Sequence, residues 1–239
     1  MSTLTLVRHG QAQTFQDAAD QLSPVGEAQA RRLGEFWTRH QNNFDAVYCG
    51  SLVRQRQTAE LVGELYRSNG LPWPEHRVLE ELNEYDVHGI LGNLLPDLAA
   101  EDMRVQRLVD AYNGSRAGPD RNKEFQRMFE AVMIRWLEGK RGGSGIETWL
   151  DFRDRVRRGL RRIMEDAGSG MRIVAFTSGG PIGATVQFAL GAPDRAALEV
   201  NWRVRNSSLT EFVFTRDRFT LDMFNAVPHL DDEVLLTYR

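Results

Sequence analysis

Cysteine is nearly absent from this sequence of 239 residues. Its one cysteine, Cys49, cannot form a disulfide within the chain, and no Cys/His pairs stand at the spacing of zinc ligands. An excess of one charge sign is also lacking, because 30 Lys and Arg stand against 33 Asp and Glu, for a formal net charge of -3. This near balance argues against nucleic acid or an anionic membrane as the main partner.

Long apolar runs are missing as well. No run is long enough to cross a bilayer, and no basic segment precedes an apolar stretch at the N-terminus. Together with the single cysteine, these absences predict a cytoplasmic protein. The hydrophobic fraction of 41% and the charged fraction of 26% are ordinary for a globular protein, so fibrous, low-complexity and disordered classes are set aside.

What the sequence does contain is an alternation of strand-like and helix-like segments. Residues 4–7, 45–49 and 172–177 are typical of buried strands, and helices are predicted after the caps Ser23-Pro24 and Ser51. Residues 209–214 and 219–224 resemble a hairpin at a sheet edge. The fold class predicted is α/β, a three-layer α/β/α sandwich with a mostly parallel central sheet. Residues 78–86 are ambiguous between strand and loop.

A helical insertion interrupts this alternation. Residues 94–140 predict helices with an apolar stripe from Phe125 to Leu137, followed by the Gly142–Gly145 segment, which is interpreted as a linker. We expect a single domain over 1–239 with a helical insertion or lid at about 90–145. Closure of such a lid over the site would set substrate choice.

Three of the predicted strands end in polar clusters. In parallel sheets, ligands bind beyond the carboxyl ends of the strands, so these clusters indicate where the chemistry occurs. A guanidinium can contact phosphate with two donors, and glycine lets the backbone approach a ligand closely. The clusters are Arg8-His9-Gly10, Gly50-Ser51 with Arg54, and Ser178-Gly179-Gly180.

Several spaced motifs make the chain resemble the histidine phosphatase superfamily, which includes the cofactor-dependent phosphoglycerate mutases. The resemblance spans nearly the whole chain, with residues 90–145 matched least. The matching segments are LVRHGQ at 6–11, LSPVGEAQA at 22–30, SLVRQRQTA at 51–59, LNEYD at 82–86, NSSLT at 206–210 and PHL at 228–230.

The resemblance implies a set of roles for these residues. His9 would attack phosphorus and form a phosphohistidine, Arg8 and Arg54 would hold the phosphoryl oxygens, and Glu84 would protonate the leaving oxygen. A neutral imidazole is a usable nucleophile near pH 7, and two arginines supply charge where a transferring phosphoryl group needs it. The alternative for Glu84 is a solvated loop acid, since Glu80 and Glu81 stand close by.

The sequence departs from the family pattern at three positions. Leu52 and Gln55 replace a usual proline and alanine, and Ser178 stands where a second histidine is expected. The N–H groups of Gly179 and Gly180 can still bind phosphate at a helix start. Ser178 is expected to bind phosphate too, but its hydroxyl gives a neutral hydrogen bond about half as strong as a charge-assisted one. Loss of the cationic donor at this position could cost on the order of 10²–10³ in rate.

The other histidines are weak substitutes for the missing one. His40 and His76 read as structural or surface residues, and His88 and His229 are more typical of packing or local hydrogen bonds. The run of arginines at 153–162 is interpreted as a solvated helix face, because acidic residues interleave it at salt-bridge spacings.

The function predicted is a metal-independent phosphomonoester hydrolase acting through phosphohistidine on a small phosphorylated substrate, with no cofactor and no nucleic-acid or membrane partner. One alternative is a mutase-type phosphoryl transferase, although residues 11–14 differ from the serine and asparagine associated with true mutases. The other is a phosphate-binding protein on a catalytically weakened scaffold, suggested by Ser178. The oligomeric state, a homodimer included, is left open.

Overall fold

The computed structural model describes residues 1–13, 20–139 and 145–238. These residues form two compact units. One contains residues 1–84 and 155–239, and the other contains residues 85–154. Within the described ranges, no helix has the length and hydrophobicity needed to span a membrane.

A six-stranded mixed sheet forms the centre of the first unit, in the order β3-β2-β4-β1-β5-β6. Strands β1 to β4 pair in parallel, whereas β5 pairs antiparallel with both β1 and β6. The hairpin therefore lies at one edge of the sheet, as its short connection predicted. The strands are β1 (Ser2–Arg8), β2 (Ala46–Cys49), β3 (His76–Val78), β4 (Arg172–Thr177), β5 (Leu209–Phe214) and β6 (Phe219–Ala226).

Helices α1 (Pro24–Arg39) and α2 (Val53–Ser68) cover one face of the sheet. Helix α1 begins where the sequence predicts, since the Ser23 side chain accepts a hydrogen bond from the Gly26 N–H at 3.1 Å. The predicted cap of α2 is wrong, because the N-cap is Leu52. The core under these helices comprises Val7, Leu33, Trp37, Val47, Cys49, Ala59, Val62, Tyr66, Val174, Phe176 and Leu209.

Helices α6 (Trp149–Asp166), α7 (Gly179–Leu190) and α8 (Asp194–Asn201) complete the α/β/α arrangement. Side chains alternate across a strand, so Leu4 and Leu6 are buried on the face opposite Val7. The Tyr48 hydroxyl of β2 lies 3.4 Å from the carboxylate of Asp166 in α6. The three-layer α/β prediction is confirmed, although α8 had not been predicted.

The second unit is built from α3 (Val87–Glu101), α4 (Met103–Ser115) and α5 (Arg121–Glu138), together with the first turns of α6. The helical prediction for this region is confirmed, and five members of the apolar stripe are buried: Met128, Phe129, Val132, Met133 and Trp136. Most of the Gly142–Gly145 linker lies outside the described residues. The role of this unit as a lid stays a prediction.

The ambiguous segment after the second strand–helix pair contains both strand and turn. Strand β3 ends at Val78, and a 3₁₀ turn, η1, covers Glu80–Leu82. Acidic residues interrupt the apolar positions here, which explains why the sequence pattern could not separate the two.

Candidate active site

The carboxyl edge of the sheet brings the three predicted polar clusters together. Arg8 and Thr177 are paired in the parallel register of β1 and β4, and the His9 N–H donates to the Thr177 carbonyl at 2.9 Å. The Gly50 N–H, beyond β2, donates to the Phe176 carbonyl at 3.0 Å. His9, Ser178 and Gly50 therefore follow three neighbouring strands at the same edge.

The tautomer of His9 follows from its two hydrogen bonds. Nδ1 lies 2.6 Å from the Gly10 carbonyl oxygen, which can only accept, so Nδ1 carries the ring proton. Nε2 accepts from Nε of Arg54 at 3.0 Å. The Nε2 lone pair is thus directed toward the guanidinium that is expected to hold an anion.

Burial and positive charge both keep this imidazole neutral. The side chain is buried, with 5% exposure. Burial, then the Arg54 charge and then the Arg8 charge lower the pKa of His9 well below its usual value, against a smaller opposing effect of the Gly10 carbonyl. At neutral pH the ring has a free lone pair, as a nucleophile requires.

The His9 loop is held tightly against the helices beside it. The Gly10 N–H donates to Oγ1 of Thr58 at 3.1 Å, and the Thr58 hydroxyl donates to the Arg54 carbonyl at 2.7 Å. A side chain at Gly10 would place Cβ 2.3 Å from the Gly26 carbonyl oxygen, so only glycine fits between the loop and α1. Thr58 therefore links the residue after His9 to the helix that carries Arg54.

Arg54 is held by an acidic residue that sequence reasoning missed. Its guanidinium donates to the carboxylate of Asp20, whose second oxygen accepts the Val53 N–H at 2.8 Å. Asp20 thereby binds the start of α2 and its arginine at once. Nothing in the spacing of Asp20 marks it, because the contact depends on how the loop before α1 reaches α2.

Arg8 occupies a more buried position than Arg54. Its guanidinium donates to the Val204 carbonyl, and the residue is 9% exposed. The Arg8 charge also lowers the pKa of His9, so Arg8 acts on this ring electrostatically. Its predicted contact with phosphate stays a prediction.

Glu84 lies at the start of α7. Its carboxylate accepts the Gly180 N–H at 3.1 Å, an arrangement that the helix dipole favours. The Gly180 N–H, predicted to bind phosphate, is therefore already engaged by Glu84. A Cβ at Gly179 would lie 2.2 Å from Oδ1 of Asn201 in α8, so a larger residue there would have to displace this side chain. Phosphate binding by the Gly179 N–H stays a prediction.

The segment that carries Glu84 is anchored by two side chains. Asn83 accepts the Ser51 N–H at 2.7 Å and donates to the Ser51 hydroxyl at 2.8 Å. One Nη atom of Arg155 contacts the carbonyl oxygens of Glu80, Glu81 and Asn83 at 3.1, 3.1 and 3.0 Å. Arg155 belongs to the run interpreted as a solvated face, and for this residue that interpretation is wrong, because a carbonyl cluster from a distant segment faces it.

Ser178 is fully buried between the site and α2. Its hydroxyl oxygen accepts a hydrogen bond from Nε2 of Gln55 at 2.8 Å. The two residues are 123 positions apart in the chain, and both were identified from the sequence as departures from the family pattern. The tertiary structure places these two departures in contact.

His229 contacts the backbone of His9 indirectly, through Ser207. Its Nε2 lies 2.9 Å from the hydroxyl of Ser207, and burial lowers the pKa of this ring to about 4. Ser207 has a left-handed φ of 59°, and its N–H donates to the His9 carbonyl at 3.3 Å. His229 therefore supports the backbone of His9 through Ser207, and its exclusion as a substitute for the missing histidine stays a prediction.

Solved structures of several phosphatases and a mutase share this fold. Mycobacterial glucosyl-3-phosphoglycerate phosphatase in complex with inorganic phosphate is 21% identical, with 96% of this chain and 99% of that chain covered and a TM-score of 0.63. The α-ribazole phosphatase of Shigella flexneri is 22% identical, with 94% and 96% covered and a TM-score of 0.61. Phosphoglycerate mutase of Bacillus anthracis is 18% identical, with 95% and 94% covered and a TM-score of 0.62.

Among curated proteins, none matches the sequence. The sequence model of the histidine phosphatase superfamily, branch 1, matches residues 4–107 and 104–227 and so includes His9, Arg54, Glu84 and Ser178. With most of the chain matched and the expected edge of the sheet occupied by His9 and Arg54, this protein belongs to the histidine phosphatase superfamily.

Proposed function

We propose that this protein is a metal-independent phosphomonoester hydrolase that forms a phosphohistidine on His9 with a small phosphorylated substrate. The observation that carries the proposal is the state of the His9 ring. Nδ1 donates to Gly10 at 2.6 Å, so a neutral ring directs the Nε2 lone pair at the Arg54 guanidinium, 3.0 Å away. We also propose a cytoplasmic location, which the single, buried Cys49 supports.

The proposed reaction has two steps. Nε2 of His9 attacks phosphorus, a N–P bond forms, and the P–O bond to the leaving group breaks while Glu84 transfers a proton to the departing oxygen. Water then attacks the phosphohistidine, Glu84 takes a proton from that water, and the N–P bond breaks. Inorganic phosphate leaves, and His9 and Glu84 return to their starting states.

The arginines supply charge complementarity for this transfer. Arg54 is 18% exposed at its side chain, and its Nε–H group now rests on Nε2 of His9. When phosphate binds, that donor would move to a phosphoryl oxygen and free the lone pair for attack. The positive charge then faces the oxygens on which negative charge is concentrated during transfer.

Two other functions compete with hydrolysis. A phosphoryl transferase would form the same phosphohistidine but pass the group to a second acceptor rather than to water. A phosphate-binding protein would use the same charges without turnover, and the neutral Ser178 in place of a histidine is the observation that favours it. The protonation and burial of His9 are common to all three.

One experiment separates these functions. Turnover of p-nitrophenyl phosphate is measured with and without a metal chelator. The proteins compared are the native chain, His9→Ala, and His40→Ala, which is the matched histidine control at the exposed end of α1. Hydrolysis predicts turnover that is retained in His40→Ala and lost in His9→Ala, with an acid-labile, base-stable phosphoprotein in the native chain.

The remaining outcomes identify the alternatives. If an added alcohol speeds the release of p-nitrophenol while little free phosphate appears, the result would favour the transferase. Binding of inorganic phosphate with neither turnover nor phosphoprotein would overturn the hydrolase proposal and favour the binding protein.

A further inference from the structure

The contact between Gln55 and Ser178 is used by no step described so far. Both side chains have zero exposure, and one amide hydrogen bond of 2.8 Å joins them. A Cβ at Gly50 would lie only 1.9 Å from Oε1 of Gln55, so the carboxamide fills the space in front of the end of β2. A polar side chain packed this tightly has one well-defined position.

The hydrogen bonds around Gln55 determine which way its amide faces. Oε1 accepts the Leu52 N–H at 3.3 Å, and Nε2 donates to the Leu82 carbonyl at 3.1 Å. A flipped amide would set a donor against the Leu52 N–H and an acceptor against the Leu82 carbonyl. Both amide hydrogens are thus used, one on Leu82 and one on Ser178, and Oγ of Ser178 must be the acceptor.

This leaves the hydroxyl proton of Ser178 to be donated elsewhere. A serine hydroxyl has one donor in addition to its lone pairs. Within residues 1–13, 20–139 and 145–238, the Gln55 amide is the one hydrogen-bond partner of this hydroxyl, and the side chain makes no capping bond to α7. A buried donor without an acceptor is costly, so the site is built to supply one.

Ser178 is also placed next to the nucleophile. His9 and Ser178 are the first residues beyond the paired positions Arg8 and Thr177 of two adjacent parallel strands. Their backbones are joined by the 2.9 Å hydrogen bond from the His9 N–H to the Thr177 carbonyl. An anion bound at Nε2 of His9 would bring a new acceptor to this edge of the sheet.

We propose that Gln55 is a positioning residue that holds the Ser178 hydroxyl as a hydrogen-bond donor to the phosphoryl oxygens at His9. The inference rests on the proposed function and adds the Ser178 hydroxyl to the groups that would contact the phosphoryl oxygens. Because Gln55 donates to one lone pair of the hydroxyl, the proton points away from Gln55, and the bound anion would be its acceptor. The donor is neutral and does not titrate, so its contribution is the same across the pH range in which the protein is folded.

The test is a double-mutant cycle with orthovanadate as the probe. Its inhibition constant, or its dissociation constant by calorimetry, is measured for the native chain, Ser178→Ala, Gln55→Met and the double variant. Methionine has a similar length but no donor. Each single variant is expected to weaken vanadate about tenfold or more, and the double variant no further than Ser178→Ala alone. The kcat for an aryl phosphate should follow the same pattern with little change in KM.

A matched control separates positioning from general support. Gln57→Met removes a partly buried hydrogen bond of the same helix, in which Oε1 of Gln57 accepts the Leu22 N–H at 2.8 Å. It is expected to lower the melting temperature and leave vanadate affinity near native. Additive losses in the Gln55/Ser178 cycle, or an equal loss in Gln57→Met, would overturn the proposal.

Two further measurements keep the result decisive. If Gln55→Met fails to fold, the crystal structure of the native vanadate complex decides, with Oγ of Ser178 expected within hydrogen-bond distance of a vanadate oxygen and a longer separation counting against it. A native chain without turnover or phosphohistidine would end the hydrolase proposal. The vanadate cycle still reports on Gln55 in that case, so the two failures are distinguishable.

Discussion

In the proposed reaction, Asp20 and the incoming phosphate compete for the same arginine, Arg54. The Asp20 carboxylate binds the Arg54 guanidinium and also caps α2 through the Val53 N–H. With 40% of the Asp20 side chain exposed, its charge faces the approach to the site. The residue therefore orients Arg54 at the cost of repelling a dianion.

We predict that Asp20→Asn tightens the binding of inorganic phosphate. The asparagine oxygen can keep the bond to the Val53 N–H, while the like charge is removed. Relief of about 1 kcal/mol of repulsion corresponds to a roughly fivefold lower inhibition constant. Asp45→Asn is the matched control, because Asp45 likewise accepts a backbone N–H, from Arg172 at 2.7 Å, before the start of β2. Weaker phosphate binding in Asp20→Asn would show that orienting Arg54 outweighs the repulsion.

At the scale of elements, α6 holds the segment that carries Glu84. The contacts of Arg155 with three carbonyl oxygens stabilise the 3₁₀ turn η1 and the two residues after it. A carboxylic acid donates its proton in the transition state only when it is placed within hydrogen-bond distance of the leaving oxygen. In the proposed reaction, Arg155 therefore acts through the position of Glu84.

We predict that Arg155→Met impairs alkyl phosphates more than aryl phosphates. An alkoxide leaves slowly without a proton, whereas p-nitrophenolate needs none. The ratio of kcat/KM for the aryl and alkyl esters should rise about tenfold, a part of the 10²–10⁴ that general acid catalysis contributes.

The exposed Arg158 of the same helix supplies the matched control, and Arg158→Met should leave the ratio at its native value. Equal losses on both esters in Arg155→Met would mean that the residue supports the fold and not the acid.

Much of this element-level organisation was predictable from local patterns. The apolar runs of β1 and β4 and the Ser23-Pro24 start of α1 depend on neighbours in sequence, and each appears where predicted. The start of α2 does not match its predicted cap. Ser51 is bound to Asn83, 32 residues away, and the N-cap is Leu52 instead. The role of Arg155 was missed for the same reason, since its carbonyl contacts join residues 72 to 75 positions apart. Helix α8 has no such explanation, because it packs mainly on α7, its neighbour in the chain.

At the scale of the whole molecule, two buried histidines make the folded state sensitive to acid. Burial lowers the pKa of His229 from 6.5 to about 4, and the pKa of His9 is lowered too. The unfolded chain binds protons at these rings below pH 6.5, whereas the folded chain does not until the pH is much lower. The stability is therefore complete above pH 6.5 and falls as the pH drops toward 4.

We predict that His229→Gln flattens this dependence. Between pH 7 and pH 5, protonation of the unfolded His229 removes about 2 kcal/mol from the free energy of unfolding. Glutamine cannot take up a proton and can keep the bond to Ser207. The free energy of unfolding, measured with urea, should therefore differ less between pH 7 and pH 5, by about that amount. His40→Gln, at the exposed end of α1, should leave the difference as it is in the native chain. An unchanged pH dependence in His229→Gln would show that His229 is not a source of the acid sensitivity.

The division into two units belongs to this scale as well. Residues 85–154 have a core of their own, with the rings of Tyr85, Trp136 and Phe152 within 6 Å of one another between centroids. An independent core lets this unit vary without disturbing the sheet that carries His9. Its proposed control of substrate choice is consistent with that independence and stays a prediction.

The sequence by itself determined the fold class and the family, and it predicted His9, Arg54 and Glu84 as site residues, because strand alternation, helix caps and spaced motifs each involve residues close together along the chain. Only the tertiary structure decided that Asp20 holds Arg54, that Arg155 holds the Glu84 segment and that Gln55 orients Ser178. Each of these contacts joins residues tens of positions apart or more. Such contacts depend on the sheet order and on side-chain packing, which no local pattern records.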